Sequence, residues 1–293
     1  MTVALNSINH ETCIRCARCV AICPQHHLDL IEGQIRVVDD PLSKCIECGH
    51  CMAVCPTQSI VTRGYDYKDF NDLPDRLPVL DDFLPLLNAR RSMRQYQDKP
   101  VPVEILEKIL DAASTAPMDL PPSNVEISIV QSREKIEQIR SQIMNSFKQW
   151  VYAFGNPLFT PMLRYGMSAA QFREMKTVIL PLVKKVLDGY EQGKDYLTYG
   201  APAMMIFSST RESGLGEQNC VIAETYAMIA AEGLSLGSCI IGLIPPAIER
   251  SRELRSILEI NPDNRVYGCL ILGWPRSTYN RSIPREFKSV KWV

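Results

Sequence analysis

The sequence contains no apolar run long enough to cross a membrane, and it carries almost no net charge. Its most apolar segment, residues 239–248, is interrupted by Gly242, Pro245 and Pro246, whereas a membrane-spanning helix needs about 20 apolar residues. Lys and Arg total 32 against 33 Asp and Glu, so the basic surplus that is typical of nucleic-acid-binding proteins is missing. The N-terminus also lacks the basic and then apolar pattern of a secretory signal. We therefore expect a cytoplasmic protein with neither a membrane nor a nucleic-acid partner.

Two common enzyme patterns are missing as well. No GxGxxG sequence follows a predicted strand, so a separate dinucleotide-binding domain is not expected. The Ser, His and Asp residues form no hydrolytic pattern, and no general acid stands out, so the sequence assigns no catalytic residue. The chain has 293 residues, 46% of them hydrophobic, which is enough for about two domains.

Cysteine, by contrast, is concentrated near the N-terminus. Eight of the 11 cysteines form two runs with the spacing CxxCxxCxxxCP: Cys13, Cys16, Cys19 and Cys23, then Cys45, Cys48, Cys51 and Cys55. In a reducing compartment such a module is held by metal rather than by disulfides. Zinc held by four thiolates is the alternative, but zinc sites are typically built from two separated CxxC pairs. The triplet with a trailing Cys-Pro favours iron–sulfur clusters.

The two runs resemble those of bacterial-type ferredoxins that carry two [4Fe-4S] clusters. In that family three cysteines of a run bind one cluster and the fourth binds the other. The resemblance implies that Cys55 completes the site of the first triplet and that Cys23 completes the site of the second. Thiolates suit this role because they are soft, charged donors that hold iron.

The rest of the chain reads as a linker and then a larger domain in which helices and strands alternate. Residues 64–87 lose any period and contain several prolines, which favours a linker. Apolar spacing beyond it predicts helices at about 101–113 and 217–234, strands at about 125–129, 203–208 and 265–272, and a largely helical insertion at about 141–199. We expect domains at 1–63 and 88–293, joined by this linker.

Several stretches of the larger domain resemble the nitroreductase family, whose members bind flavin mononucleotide (FMN). The first is RRSMRQY, residues 90–96. The resemblance implies that Arg90 and Ser92 hold the phosphate and ribityl chain, with Arg91 beside them. It also implies that Arg94 faces the pyrimidine edge of the ring. Guanidinium groups suit a phosphate because they donate paired hydrogen bonds, and a cation beside the ring favours its anionic reduced form.

A second stretch, APMDLPPSN at residues 116–124, matches the family only in part. Pro121 stands where the family has a flavin-binding Asn, and proline has no side-chain group that could make that hydrogen bond. The backbone at Pro122 and the hydroxyl group of Ser123 are the candidates to replace it.

Two further stretches extend the match toward the C-terminus. In GLSLGSCIIG, residues 233–242, the resemblance implies that the backbone N–H groups of Ile241 and Gly242 face N5 and O4 of the flavin. In RSIPR, it implies that Arg285 clamps the phosphate, with Arg281 as a second cation.

Along its whole length the sequence is similar to ferredoxin-linked nitroreductases. This resemblance implies an α+β protein in which an N-terminal 2[4Fe-4S] ferredoxin-like domain is fused to an FMN-dependent, nitroreductase-like α/β sandwich. It also implies a homodimer with FMN at the subunit interface. We expect Glu224 and Glu232 to form dimer-facing salt bridges, and Cys239 to pack in the core rather than act as a nucleophile.

The implied function is an oxidoreductase that takes electrons from an external donor, either a ferredoxin or NAD(P)H. The electrons pass through two [4Fe-4S] clusters to FMN and then to a small-molecule electrophile such as a nitroaromatic or a quinone. The alternative is a non-catalytic electron-transfer or flavin-holding module that serves a protein partner. The insertion separates the two, because an open slot over the flavin favours the enzyme and a sealed one favours the carrier. Its aromatic side chains, Trp150 and Tyr165 among them, either line a substrate pocket or pack within the insertion.

Overall fold

The chain divides into two compact units. The first unit extends to Leu77, and the second comprises Pro78–Pro117 and Asn124–Val293. Both are seen in a computed structural model, which describes residues 5–38, 40–119 and 124–293. Across these described ranges, no helix is both long enough and apolar enough to span a membrane.

The first unit is built from short elements. In chain order they are β1 (Asn6–Ile8), α1 (Arg18–Ile22), β2 (Leu28–Ile31), β3 (Gln34–Val37), α2 (His50–Ala53), β4 (Ile60–Thr62) and a 3-10 turn (Tyr67–Asp69). β1 pairs antiparallel with β4, and β2 pairs antiparallel with β3. The Tyr67 hydroxyl group donates a hydrogen bond to the carbonyl oxygen of Ile60 at 2.9 Å. This bond holds the chain that follows β4 against the unit.

The backbone of the first unit repeats itself as its sequence does. The dihedral angle φ is positive at matching positions of the two cysteine runs: Arg15 and Glu47, Ala17 and Gly49, and His26 and Gln58. Helices α1 and α2 begin directly after Ala17 and Gly49. Residues with a side chain rarely adopt this left-handed conformation. Its recurrence therefore indicates one backbone constraint that both runs obey.

The second unit contains a four-stranded antiparallel sheet in the order β5-β6-β8-β7. In chain order its elements are α3 (Leu80–Ala89), α4 (Val103–Ser114), β5 (Val125–Val130), α5 (Arg133–Gly155), α6 (Thr160–Tyr165), α7 (Ala169–Glu174), a π-helical turn (Met175–Ile179), α8 (Leu180–Glu191), β6 (Ala203–Thr210), α9 (Gly216–Gly233), β7 (Gly237–Ile240), α10 (Ile244–Glu249), α11 (Arg252–Ile257) and β8 (Asn264–Gly273).

Helices cover both faces of this sheet. Residues of β6 alternate between the faces, as strand geometry requires, and β6 is buried along nearly its whole length. Met204 and Ile206 join the core formed with α5, α8 and α10. Helix α9 packs against β6 and β8, and α3 and α4 pack against α9. The sheet is therefore the central layer on which the site residues of this unit are held.

Aromatic residues of the insertion fall into two groups. Trp150 and Phe154 are buried, and the Trp150 ring lies 5.2 Å from that of Phe147. Tyr152 and Tyr165, by contrast, are exposed, Tyr165 to 96%. Packing within the insertion is thus the role of the first group.

Candidate functional site

The eight N-terminal cysteines line two separate cavities of the first unit. One cavity is lined by Cys13, Cys16, Cys19 and Cys55. The other is lined by Cys23, Cys45, Cys48 and Cys51. The structure thus brings together the two sets that the resemblance to ferredoxins implied, each with three cysteines from one run and one from the other.

The placement of the cysteines and the lining of the cavities bear on what the cavities can hold. Zinc needs all of its sulfur ligands at about 2.3 Å from a single centre. In the part of the chain that the structure describes, no three Cys, His, Asp or Glu side chains are grouped closely enough for one metal ion. The cysteines instead stand on the walls of cavities whose other linings are largely apolar, with Ile8 and Ile60 in the first and Leu28 in the second. Such a cavity fits a multi-iron cluster.

Backbone N–H groups point at the sulfur atoms in matching places. The N–H of His27 donates to Sγ of Cys23 at 3.3 Å, and the N–H of Ser59 donates to Sγ of Cys55 at 3.3 Å. Burial alone would raise the pKa of the Cys55 thiol, but hydrogen bonds from Ser59 and Thr57 outweigh it and leave that pKa lowered. Donors of this kind stabilise the thiolate form and tune the potential of a bound cluster.

The arginine-rich segment of the second unit is extended and lies beside β7. The N–H of Met93 donates to the carbonyl oxygen of Ser238 at 2.8 Å. Arg90, Ser92 and Arg94 all act on the thiol of Cys239: burial raises its pKa, and the two charges and a hydrogen bond with Ser92 lower it. These three residues therefore lie around the same thiol, next to β7.

Arg91 points elsewhere, because neighbouring residues of an extended chain face opposite sides. It is buried and, together with Met93 and Glu232, it lines a cavity of the second unit of about 690 Å³. Its Nη1 donates to the carbonyl oxygen of Arg90 at 2.6 Å. Arg91 thus lies beside the other three, with its side chain directed into a different space.

Arg90 is the residue that feels the charges of two other arginines, Arg91 and Arg285. Burial lowers the pKa of its guanidinium, and the charges of Arg285 and Arg91 lower it further. Glu232 acts in the opposite direction, so this carboxylate lies at the same cluster. Cations that are held together at a cost favour an anionic ligand, and the donor set fits a phosphate. Arg281 is not among the charges that act most strongly on Arg90, and it lies in the exposed C-terminal segment.

One of the predicted flavin contacts needs correction. The N–H of Ile241 donates to the carbonyl oxygen of Cys269 at 2.8 Å, so the sheet edge already uses it and it cannot face the flavin. Gly242 is exposed, with open space where a Cβ would stand. Pro121, Pro122 and Ser123 lie outside the described residues.

The expected role of Glu224 is also wrong. Its carboxyl group is buried between α9 and β8, at 2.9 Å from the position of a Cβ added to Gly268, so it cannot face a dimer partner. Burial raises the pKa of Glu224 to about 7. Cys239 is buried in the core, which confirms the packing role expected for it.

One group near the arginines has no role assigned to it from the sequence, although the stretch 199–203 matches a turn-and-strand element of the family. The ring of Tyr199 lies beside Arg94, with the guanidinium carbon 5.8 Å from the ring centroid. The Tyr-Gly pair at 199–200 is a turn signal, but nothing local in the sequence connects it with Arg94.

Comparisons with known proteins agree with this geometry. The model of the nitroreductase family matches residues 87–274, and a model of the 4Fe-4S dicluster domain matches residues 5–69. The FMN reductase [NAD(P)H] of Bacillus subtilis is 25% identical over 209 residues, which are 71% of this chain and 72% of that protein.

Solved structures resemble the larger unit in fold. A nitroreductase with bound FMN from Bacteroides fragilis is 21% identical, with a TM-score of 0.54, and covers 72% of this chain and 98% of its own. A nitroreductase with bound FMN from Desulfitobacterium hafniense is 19% identical, with a TM-score of 0.52, and covers 72% of this chain and 97% of its own.

Proposed function

Since the chain belongs to the nitroreductase family of FMN oxidoreductases and begins with a ferredoxin-type 4Fe-4S domain, we propose a specific electron route through it. Electrons enter from an external donor, pass through two [4Fe-4S] clusters to FMN, and reduce a small electrophile such as a nitroaromatic or a quinone. The donor is a reduced ferredoxin or NAD(P)H.

The observation that carries this proposal is the pair of four-cysteine cavities. Two sites, each with four sulfurs on an apolar wall, support two clusters rather than one. Clusters transfer one electron at a time, and FMN suits such a donor because it accepts single electrons and passes them on in pairs. A domain of this kind supplies what a flavin enzyme needs when its donor delivers electrons singly.

In this proposal the residues of the second unit bind and orient the flavin. Arg90 and Arg285 hold the phosphate, and Ser92 contributes its hydroxyl group. Arg94 lies at the pyrimidine edge of the ring, where its charge favours the negative charge that the ring gains on reduction. The lowering of the Arg90 pKa by the charge of Arg285 supports the phosphate assignment.

The proposal also includes a homodimer in the cytoplasm. The C-terminal segment exposes large apolar side chains, with Phe287 at 87% and Trp292 at 96%. Exposed apolar groups of this size favour cover by another chain, which supports assembly. Thiolate-held clusters need a reducing compartment, which supports the location.

The test uses the full-length protein, prepared without oxygen and loaded with FMN. Reduction of the flavin is followed by its absorbance after mixing with reduced ferredoxin, NADPH or dithionite. We expect Cys16→Ser and Cys48→Ser to abolish flavin reduction by ferredoxin and to leave reduction by dithionite intact. Cys220→Ala, which changes a cysteine of the second unit, serves as the control.

Two outcomes would contradict the route. If the variants that lack clusters accept electrons from ferredoxin as fast as the intact protein, the clusters do not feed the flavin. If the reduced protein transfers nothing to a panel of nitroaromatics and quinones, the assigned substrate class is wrong.

A further inference from the structure

The loop that leads into β6 is organised by one half-buried carboxylate, that of Asp195. Its Oδ1 accepts hydrogen bonds from the N–H groups of Leu197 at 3.0 Å and Thr198 at 2.8 Å. Its Oδ2 accepts from the Thr198 hydroxyl group at 2.5 Å and from the N–H of Gly200 at 2.8 Å. Arg140 of α5 places Nη1 at 3.5 Å from Oδ1. Every residue from 197 to 200 except one is thus tied to the same side chain.

The exception is Tyr199, whose backbone adopts the left-handed conformation. Its φ is +55°, and that of Gly200 is +68°. Glycine adopts this conformation freely, whereas a tyrosine does not. Such a conformation persists only where the surroundings impose it, and it is frequent at functional sites. The bonds to Asp195 on both sides of Tyr199 supply that constraint.

The side chain that this conformation places is the one beside Arg94. Burial raises the pKa of the Tyr199 phenol, while the charge of Arg94 and a hydrogen bond with its side chain lower it. In that bond the guanidinium must donate, because it has no acceptor. The phenol oxygen accepts, so its own O–H stays available to donate to a further acceptor.

From these contacts we propose that Asp195 and Tyr199 are positioning residues for Arg94. Asp195 fixes the loop, the loop places the Tyr199 ring, and the ring and its hydroxyl group hold the guanidinium in one orientation. This inference rests on the proposed FMN site, in which Arg94 faces the pyrimidine edge. An oriented cation at that edge stabilises the reduced ring more than the oxidised ring, so the pair acts on the flavin potential.

A purely structural role for the loop makes a different prediction. If Tyr199 only fills space, its replacement changes the thermal stability of the protein and leaves the flavin potential unchanged. Tyr199→Gly is a useful variant because glycine adopts φ of +55° without strain and keeps the loop intact. Tyr199→Phe removes only the hydroxyl group, and Asp195→Asn keeps the size of the carboxylate.

The experiment uses the full-length protein loaded with FMN. The dissociation constant of oxidised FMN is measured by its fluorescence, and the flavin midpoint potential by a spectroscopic redox titration. A cation held against an aromatic ring supports a loss of affinity of about three- to tenfold for Tyr199→Gly. The midpoint potential becomes more negative, as it does in Arg94→Gln, and Tyr199→Phe shows part of that shift.

Coupling and a matched control make the result specific. Because Tyr199 acts through Arg94, the double variant Tyr199→Gly/Arg94→Gln shifts the potential no further than Arg94→Gln alone. Asp195→Asn shifts it in the same direction and likewise adds nothing to Arg94→Gln. The control is Tyr267→Leu, which removes another ring beside an arginine, with Arg265 at 5.5 Å, and leaves both quantities unchanged.

The failures of this inference and of the proposed function are distinguishable. If Arg94→Gln changes the potential and Tyr199→Gly does not, the positioning role is refuted and the FMN site stands. Additive shifts in the double variant refute it as well. If the intact protein binds no FMN, both proposals fail.

Discussion

Replacing Arg285 with alanine tests the phosphate site most directly. In the free protein the charge of Arg285 lowers the pKa of Arg90, so the two cations repel each other until an anion joins them. The substitution therefore removes a repulsion from the free protein and an attraction from the complex. We expect the free protein to be at least as stable as before and the complex to be weaker.

The size of the loss follows from the exposure of the side chain. A hydrogen bond to a charged group contributes about 1.5–3 kcal/mol. Arg285 lies in an exposed segment, where solvent screening favours the lower end, so FMN binding weakens about tenfold. Arg90 is half-buried, so we expect the loss for Arg90→Ala to lie toward the upper end of this range, which weakens FMN binding about a hundredfold. Isothermal titration of the FMN-free protein with FMN measures both losses.

The control is Arg281→Ala, which removes the same charge four residues away in the same exposed segment. Since Arg285 and not Arg281 is among the charges that act most strongly on Arg90, we expect a much smaller loss of affinity. The rise in melting temperature on adding FMN should shrink in the order Arg281→Ala, Arg285→Ala, Arg90→Ala. Equal losses for Arg281→Ala and Arg285→Ala, or unchanged affinity in Arg285→Ala, would refute the phosphate assignment.

Three further outcomes are expected. Cys23→Ser should damage the cluster of the second triplet and Cys55→Ser that of the first, as followed by electron paramagnetic resonance and iron analysis; the opposite assignment would show that the fourth ligands do not cross over. A chain that begins at Pro78 should fold and bind FMN. A chain that begins at Leu86 lacks most of α3, the helix that packs against α9, and should melt at a lower temperature; equal melting temperatures would contradict this. Because the pKa of Glu224 is raised to about 7, the free energy of unfolding should fall by about 3 kcal/mol as the pH rises from about 4.5 to 7. Urea unfolding curves of Glu224→Gln should lack this pH dependence. If the dependence persists in that variant, it originates from another group.

The cluster cysteines could be predicted from the sequence because ligand chemistry fixes their spacing. Four thiolates on one cluster constrain the chain so tightly that the CxxCxxCxxxCP pattern carries most of the geometry. The strands β5, β6 and β8 and the helix α9 could also be predicted, because apolar residues alternate in β5 and the other three are mainly apolar segments of suitable length. These elements depend on local pattern, and local pattern is what a sequence displays.

Helix α3 was missed for a physical reason. Eight of its ten residues fall in the range interpreted as a linker, and Pro85 lies inside the helix, where proline removes a backbone donor. Packing against α9 compensates for that loss, and packing partners distant in the chain are invisible in a local pattern. The same holds for Ile241, whose N–H is used by a strand that begins more than twenty residues later.

Asp195 and Tyr199 were missed because their importance depends on distant contacts. An aspartate before a Tyr-Gly pair indicates a turn, and the turn is there. The contact between Tyr199 and Arg94 depends on how β6, β7 and the arginine-rich segment pack together. Only the folded chain brings those elements side by side.

The repeated left-handed backbone of the first unit has a consequence for how the protein matures. Arg15, Glu47, His26 and Gln58 are held in a conformation that a free chain avoids, and the apolar core around Leu28 is small. Little in the apo chain opposes the strain of these turns, so we expect insertion of the clusters to supply free energy for the folding of this unit. The second unit has its own large core, and we expect it to fold without iron. In a cell short of iron the second unit would therefore persist, whereas the first, which extends to Leu77, would be open to proteases.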